Sequence, residues 1–237
     1  MCMRVQGRMT YVFKDGSIGY IWPRTEKSIA LPESKPPPPV INARRIIEEW
    51  TNDTPDEWLE EQAYKLGVTV QSLRDLEACY SPKDRATAFP MRDGYGNIVG
   101  IRLRSDGGFK WAVTGSHQGI FLPRCDSLRT AYVCEGPTDT AAALSIGLWS
   151  VGRASCSAGL SDIPKVFKRL KIQRAVIVSD NDSHDAGLKG AAMLGRQLGI
   201  PYCILMLPCK DLRAFVRSGG TALMLENLLN DTVWIVP

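Results

Sequence analysis

The fold is indicated by the stretch AYVCEGPTD at residues 131–139, an apolar run that ends on Glu135. A second run of the same kind, AVIVSDND at residues 175–182, ends on Asp180 and Asp182. Both runs are typical of short buried strands. Ligands of an open α/β sheet bind at the carboxyl ends of its parallel strands. The sequence therefore predicts that these three carboxylates converge at one edge of a sheet.

Such a group of carboxylates is a set of hard oxygen ligands. Like charges that lie close together repel one another unless a cation lies among them. Mg²⁺ suits this place because it binds a few carboxylates and leaves its other positions to water or phosphate. We therefore expect a magnesium site here, with Mn²⁺ as the alternative ion.

The two motifs resemble the Toprim domain, which bacterial-type primases, type IA and type II topoisomerases, small ribonucleases and recombination proteins share. Its hallmarks are a Glu-Gly pair after one strand and an Asp-x-Asp triplet after a later one. They correspond here to Glu135-Gly136 and to residues 180–182, and each is followed by a small-residue or glycine-rich helix. The resemblance implies an α/β fold: a Rossmann-like Toprim module with a mainly parallel sheet flanked by helices.

The preceding segment resembles the corresponding part of bacterial DNA primases, on its Phe89-Pro90 pair, the basic Arg92 and the returning strand 98–104. This implies a small primase-like subdomain, built of helices and a β-hairpin, ahead of the Toprim module. Family members often carry a lysine just before the position of Gly115, whereas this chain has Thr114. The resemblance covers roughly residues 55 to 220.

Four segments follow from this organisation: a small β-hairpin element at 1–31, a proline-rich linker at 32–41, a primase-like N-terminal subdomain at 42–126 and a Toprim catalytic domain at 127–237. The first segment has Cys2 but no histidine or further cysteine, so it cannot supply the four ligands of a structural zinc site. We therefore predict no zinc.

Two helices are predicted in the N-terminal subdomain, one that begins near Thr54-Pro55 and ends at Gly67, and one that begins at Thr69. The pair fits a helix-turn-helix or a small helical bundle that does not contact DNA.

Basic residues alternate with apolar ones in the predicted strand 98–104, so Arg102 and Arg104 share one face. We expect Arg92 and Lys110 to join them across the sheet. Such a face suits a nucleic-acid backbone or nucleotide phosphates. A solvated face with surface salt bridges is the alternative.

Two further acids, Asp139 and Asp211, are candidates for a second cation site; Asp211 lies in a segment similar to the Lys-Asp motif of primases. Either could instead cap a helix. The resemblance implies that Asp180 and Asp182 hold one Mg²⁺ on a triphosphate, and that Glu135 is a metal ligand or the proton acceptor.

Composition adds few constraints on function. The 237 residues are 44% hydrophobic and carry a net charge of +4. Seven scattered cysteines form no Cys-x-x-Cys pair, and no apolar run is long enough for a membrane span. We therefore expect a cytoplasmic protein with no membrane partner.

The resemblance implies a DNA primase of DNA replication: a metal-dependent nucleotidyltransferase, and thus a DNA-directed RNA polymerase, that makes short RNA primers. Its partners would be a single-stranded DNA template, nucleoside triphosphates and a separate replicative helicase. The alternatives are a Toprim-type nuclease and a weakly catalytic DNA-binding accessory protein of a replication complex.

Overall fold

The computed structural model describes residues 9–12, 18–21, 40–124, 129–155, 158–181 and 186–237. The chain divides into two compact units, residues 1–37 and 38–237. In the first unit, strands β1 (Met9–Val12) and β2 (Ile18–Ile21) pair as the antiparallel hairpin that the sequence predicts. The turn of this hairpin and most of the proline-rich linker lie outside the described residues.

The second unit begins with three helices, which pack on a sheet. They are α1 (Ala43–Asp53), α2 (Asp56–Leu66) and α3 (Val70–Asp75). The hydroxyl of Thr69 accepts the N–H of Ser72 and so caps α3, as the sequence indicates. Leu73 of α3 is fully buried and belongs to a core cluster that includes residues of α2 and of the sheet. The helix pair is therefore part of the core.

An antiparallel half-sheet follows. Its strands are β3 (Cys79–Ser81), β4 (Ala86–Arg92), β5 (Ile98–Arg104), β6 (Lys110–Ala112) and β7 (Ile120–Phe121). The predicted hairpin is confirmed, because β4 pairs with β5 from Thr87 to Arg92, with a register shift between Met91 and Arg92. Strand β6 pairs with the far side of β5. Alternate residues of this half-sheet pack against α1 on one face and against α2 and α3 on the other.

Strands and helices alternate in the C-terminal half. The elements are β8 (Thr130–Glu135), α4 (Pro137–Ser145), β9 (Ser150–Arg153), α5 (Asp162–Leu170), β10 (Arg174–Ser179), α6 (Ala186–Leu198), β11 (Tyr202–Met206), α7 (Leu212–Arg217) and α8 (Ala222–Asn230). The four strands are parallel in the order β11-β10-β8-β9.

Helices cover both faces of this parallel half. Ala131 and Val133 of β8 pack with α5 and α6, whereas Tyr132 and Cys134 pack with α4, α7 and α8. Alternate residues of a strand point to opposite faces, so a strand buried on both sides is apolar throughout. The α/β fold with a parallel sheet flanked by helices is thereby confirmed. No helix in the described part of the chain is both long enough and apolar enough to span a membrane.

The two halves form one continuous sheet, because β7 pairs antiparallel with β9 and also with β4. The resulting strand order is β11-β10-β8-β9-β7-β4-β5-β6, with β3 on the edge of β4. The sequence did not reveal β9 or α8.

Gly152 allows β9 to lie close to the start of α4. A Cβ at this position would collide with Oγ1 of Thr140 and would lie 2.9 Å from the carbonyl oxygen of Gly136 and 3.0 Å from Phe121. We predict that Gly152→Ala lowers the free energy of unfolding by about 2 kcal/mol, because the atoms packed around the added methyl group cannot move away without strain. Urea denaturation measures this change.

Gly107→Ala is the matched control, because the only atom near its added Cβ is Oγ of Ser105 at 3.9 Å. Its free energy of unfolding should stay within about 0.5 kcal/mol of the original protein's. Equal effects of the two substitutions would mean that the approach of β9 to α4 is not tight.

Candidate active site

The carboxylates of Glu135 and Asp180 lie at the same edge of the sheet. Glu135 is the last residue of β8 and Asp180 directly follows β10. These strands are parallel neighbours, with Val133 opposite Ile177. The structure thus brings together two of the three acids that the sequence places at this edge. Asp182 lies outside the described residues.

The turn between β8 and α4 depends on Gly136. Its φ of 81° and ψ of 167° belong to a region that is essentially restricted to glycine. Its N–H donates to the carbonyl of Arg153 at 2.7 Å. This turn begins α4 at Pro137 and places Asp139 in the first helical turn, beside the end of β8.

Asp139 and Asp211 join the two strand-end acids. Asp139 is 5% exposed, and its Oδ1 accepts the N–H of Arg213 at 2.9 Å. Asp211 caps α7, with its Oδ1 accepting the N–H of Ala214 at 2.7 Å. Asp211 therefore has the capping role that the sequence left open, while Asp139 bonds to the start of α7 rather than capping its own helix.

Burial and mutual repulsion raise the pKa values of two of the carboxylates. Burial raises the pKa of Asp180 to about 7, with further contributions from the charges of Asp139, Glu135 and Asp211. Burial also raises the pKa of Asp139 to about 6, and the charge of Asp211 adds to the effect. Glu135, Asp139, Asp180 and Asp211 are called the acidic cluster below. Two of its members are thus costly to ionise when no cation is present.

The acidic cluster supplies oxygen donors of the kind that Mg²⁺ binds. Among the described residues, no three histidine, cysteine, aspartate or glutamate side chains form a group that could hold a metal. A closed protein cage is therefore not formed by these residues. Mg²⁺ usually binds one or two carboxylates together with water and substrate phosphates, and an open cluster of acids with raised pKa values fits that mode.

A buried arginine, Arg153 of β9, holds Glu135. Its Nη2 donates to Oε1 of Glu135 at 3.0 Å, and its side chain is fully buried. The two residues are direct partners in the β8–β9 register. The sequence did not single out Arg153; the only signal is a charged residue at the end of the short apolar run 150–153.

Three of the four predicted basic residues share one face of the half-sheet. Arg104 is paired with Lys110 in the β5–β6 register, and Arg102 lies two residues earlier on the same strand. Lys110 lowers the pKa of both Asp139 and Asp180, so its ammonium group lies within electrostatic range of the acidic cluster. Nη2 of Arg102 donates to the carbonyl of Ala154, just after β9.

Arg92 does not join this face, which corrects the expectation from the sequence. Phe89 is the register partner of Arg102, and Arg92 lies three residues further along β4, so its side chain projects from the opposite face. It donates to Glu77 at 2.6 Å and to the carbonyl of Gly96 at 2.7 Å. It also lines a cavity of about 690 Å³ beside α1.

Solved structures with this fold include the catalytic cores of DNA primases. The E. coli primase catalytic core is 15% identical, with a TM-score of 0.60 over 81% of this chain and 79% of that chain. A DnaG primase catalytic domain bound to single-stranded DNA is 15% identical, with a TM-score of 0.60 over 81% and 78%. The primase fragment of the bacteriophage T7 primase-helicase protein is 19% identical, with a TM-score of 0.54 over 69% and 71%.

These similarities establish that the chain has the fold of primase catalytic cores. No protein-family model matches the sequence, and no curated protein matches it.

The raised pKa of Asp180 predicts a stability that depends on pH. Its carboxyl group has a pKa of about 7 in the folded chain, well above its ordinary value of 3.8. The folded state therefore binds more protons between about pH 4 and pH 7, and stability falls as the pH rises through this window. In metal-free buffer, Asp180→Asn should raise the free energy of unfolding at pH 8 by about 1 to 3 kcal/mol and change it much less at pH 4.5.

Urea denaturation at the two pH values measures this difference. Asp231→Asn is the control, because Asp231 is exposed and lies after α8, away from the acidic cluster. A gain in stability that is the same at both pH values, or equal in the control, would contradict the placement of Asp180 among like charges.

Proposed function

We propose that this chain is a DNA primase, which synthesises short RNA primers on single-stranded DNA by metal-dependent nucleotidyl transfer. The observation that carries the proposal is the meeting of Glu135 and Asp180 at the ends of neighbouring parallel strands. Its setting supports the proposal, because the fold resembles primase catalytic cores over 81% of the chain. The C-terminal half would be a Toprim module.

Nucleotidyl transfer depends mainly on positioning and on stabilising charge. Bound Mg²⁺ would align the phosphates and absorb the charge that develops during transfer. Asp180 and Asp182 would hold one ion, and Asp139 and Asp211 would contribute near a second. Glu135 would serve as a ligand or as the proton acceptor, held in place by its ion pair with Arg153.

The basic face would bind the template or the incoming nucleotide. Arg102, Arg104 and Lys110 lie together next to the acidic cluster, where phosphates would have to be held. A DnaG catalytic domain of similar fold is bound to single-stranded DNA, which supports a DNA template here. Contacts from these residues to phosphates should be sensitive to salt and tolerant of sequence.

A separate replicative helicase is the proposed protein partner. The T7 structure of similar fold is a fragment of a primase-helicase protein. By analogy, a helicase would act together with this chain. A pull-down with a replicative helicase that shows no contact would count against this partner.

Primer synthesis on mixed single-stranded DNA templates tests the proposed function. Labelled ribonucleoside triphosphates are supplied with Mg²⁺ or Mn²⁺, and the products are separated by length. We predict short products from the original protein and a loss of about a hundredfold or more in Asp180→Asn, because several kcal/mol of charge stabilisation would be removed. Asp231→Asn should retain full activity.

The same assay also tests the main alternative function. A Toprim-type nuclease would use the same carboxylates to hydrolyse a phosphodiester. If the protein shortens the template, makes no primers and loses this activity in Asp180→Asn, it is a nuclease and not a primase. Binding of DNA with neither activity would favour an accessory protein, and primer synthesis that survives in Asp180→Asn would contradict the assignment of the site.

A further inference from the structure

Two arginines from different halves of the sheet flank Asp139. Arg104 is the last residue of β5, in the antiparallel half, and Arg213 lies in the first turn of α7, in the parallel half. The backbone N–H of Arg213 donates to Oδ1 of Asp139 at 2.9 Å. Burial lowers the pKa of Arg104 and the charge of Arg213 lowers it further, while the charges of Asp106 and then Asp139 act in the opposite direction. The two guanidinium groups therefore lie within electrostatic range of each other.

Both arginines have an unused hydrogen-bond donor. Nε of Arg104 and Nε of Arg213 are buried and have no hydrogen-bond partner among the described residues. Neither side chain forms a salt bridge within the described part of the chain. A buried donor without a partner destabilises the protein, and two like charges close together add to this cost. An anion between the two guanidinium groups would remove both costs.

The chemistry of the two side chains selects the anion. A guanidinium group is a planar fork that matches two oxygens of a phosphate, and it remains charged in proteins. Lys110, the register partner of Arg104, adds a third positive charge to the same face. Three cations on separate elements suit a ligand with several linked phosphates better than a single phosphate. The partial burial of Arg104 and Arg213 favours a small ligand over an extended nucleic-acid backbone.

We propose that Arg213 and Arg104 form an oligophosphate-binding site beside the acidic cluster. Within the proposed function, on which this identification of the natural ligand rests, the site takes the outer phosphates of the incoming nucleoside triphosphate, or the pyrophosphate that leaves. Arg213 is the residue that this proposal adds. It lies on α7, next to Asp139, and does not belong to the basic face of the half-sheet.

Calorimetric titration with inorganic tripolyphosphate in the presence of Mg²⁺ tests the site directly. We expect Arg213→Gln to weaken binding about tenfold or more, because one positive charge and one bidentate hydrogen-bond donor are lost. Arg213→Lys should recover part of the affinity, since it restores the charge without the fork. Arg217→Gln is the control: Arg217 is an exposed residue in the last turn of the same helix, and its substitution should change binding less than about twofold.

Thermal unfolding of each variant separates binding from folding. Arg213→Gln should unfold at or above the temperature of the original protein, because the substitution removes a buried unpaired donor. The proposed site is wrong if the loss of affinity in Arg213→Gln equals the fraction of protein that is unfolded. It is also wrong if Arg213→Gln binds tripolyphosphate as tightly as Arg217→Gln does.

The outcome is independent of primer synthesis. Binding of tripolyphosphate through Arg213 by a protein that makes no primers would support the site and overturn the primase. Normal primer synthesis with an unchanged KM for nucleotides in Arg213→Gln, together with unchanged tripolyphosphate binding, would support the primase and overturn the site. If Arg213→Gln weakens binding of oligo(dT) but not of tripolyphosphate, the ligand is a nucleic-acid backbone and the oligophosphate proposal fails. Parallel titrations with ATP and with pyrophosphate distinguish the two sources of linked phosphates.

Discussion

Partial burial of the acidic cluster, together with repulsion among its carboxylates, is the constraint on which the rest of the site depends. Burial and like charges together raise the pKa of Asp180 to about 7 and that of Asp139 to about 6. The fold offsets this cost with one specific contact for each of several members. Arg153 pairs with Glu135, the N–H of Arg213 bonds to Asp139, and the N–H of Ala214 bonds to Asp211. These contacts hold the acids in place, and binding of a cation would still lower the remaining repulsion among them.

The continuous sheet explains why opposite charges meet at this edge. Because β7 joins β9 to β4, the antiparallel half extends the same sheet that holds the acidic strands. Arg102 bonds across this junction to the carbonyl of Ala154, and Lys110 lies within electrostatic range of Asp180. An acidic cluster with a basic face beside it suits a ligand that carries both phosphates and cations. A sheet divided between two independent domains would not fix this juxtaposition.

Local signals predicted the parts of the site that lie on strongly patterned elements. The runs that became β8 and β10 are apolar throughout and end on acids, so both their burial and the meeting of Glu135 with Asp180 followed from the sequence. The β4–β5 hairpin followed in the same way from its turn residues and its alternation. In each case the signal lies in short, continuous patterns of sequence.

Contacts between distant segments account for what the sequence did not reveal. Strand β9 has only four residues, and its burial comes from its neighbours β7 and β8. The role of Arg153 therefore appears only when this pairing is known. The face on which Arg92 lies depends on the register of β4 with β5, and the bond of Asp139 to Arg213 joins residues 74 positions apart. Asp182 and its contribution to the site stay predictions from the sequence alone.

Occupancy of the acidic cluster by a divalent cation is the central claim, and electron paramagnetic resonance of Mn²⁺ tests it most directly. Titration of the metal-free protein at pH 8 follows the loss of the free-ion signal, and Mg²⁺ is then added as a competitor. The account predicts binding that Mg²⁺ displaces and that Asp180→Asn weakens about tenfold or more. Binding that is equally tight in Asp180→Asn, or no binding by the original protein in the presence of a nucleoside triphosphate, would contradict it.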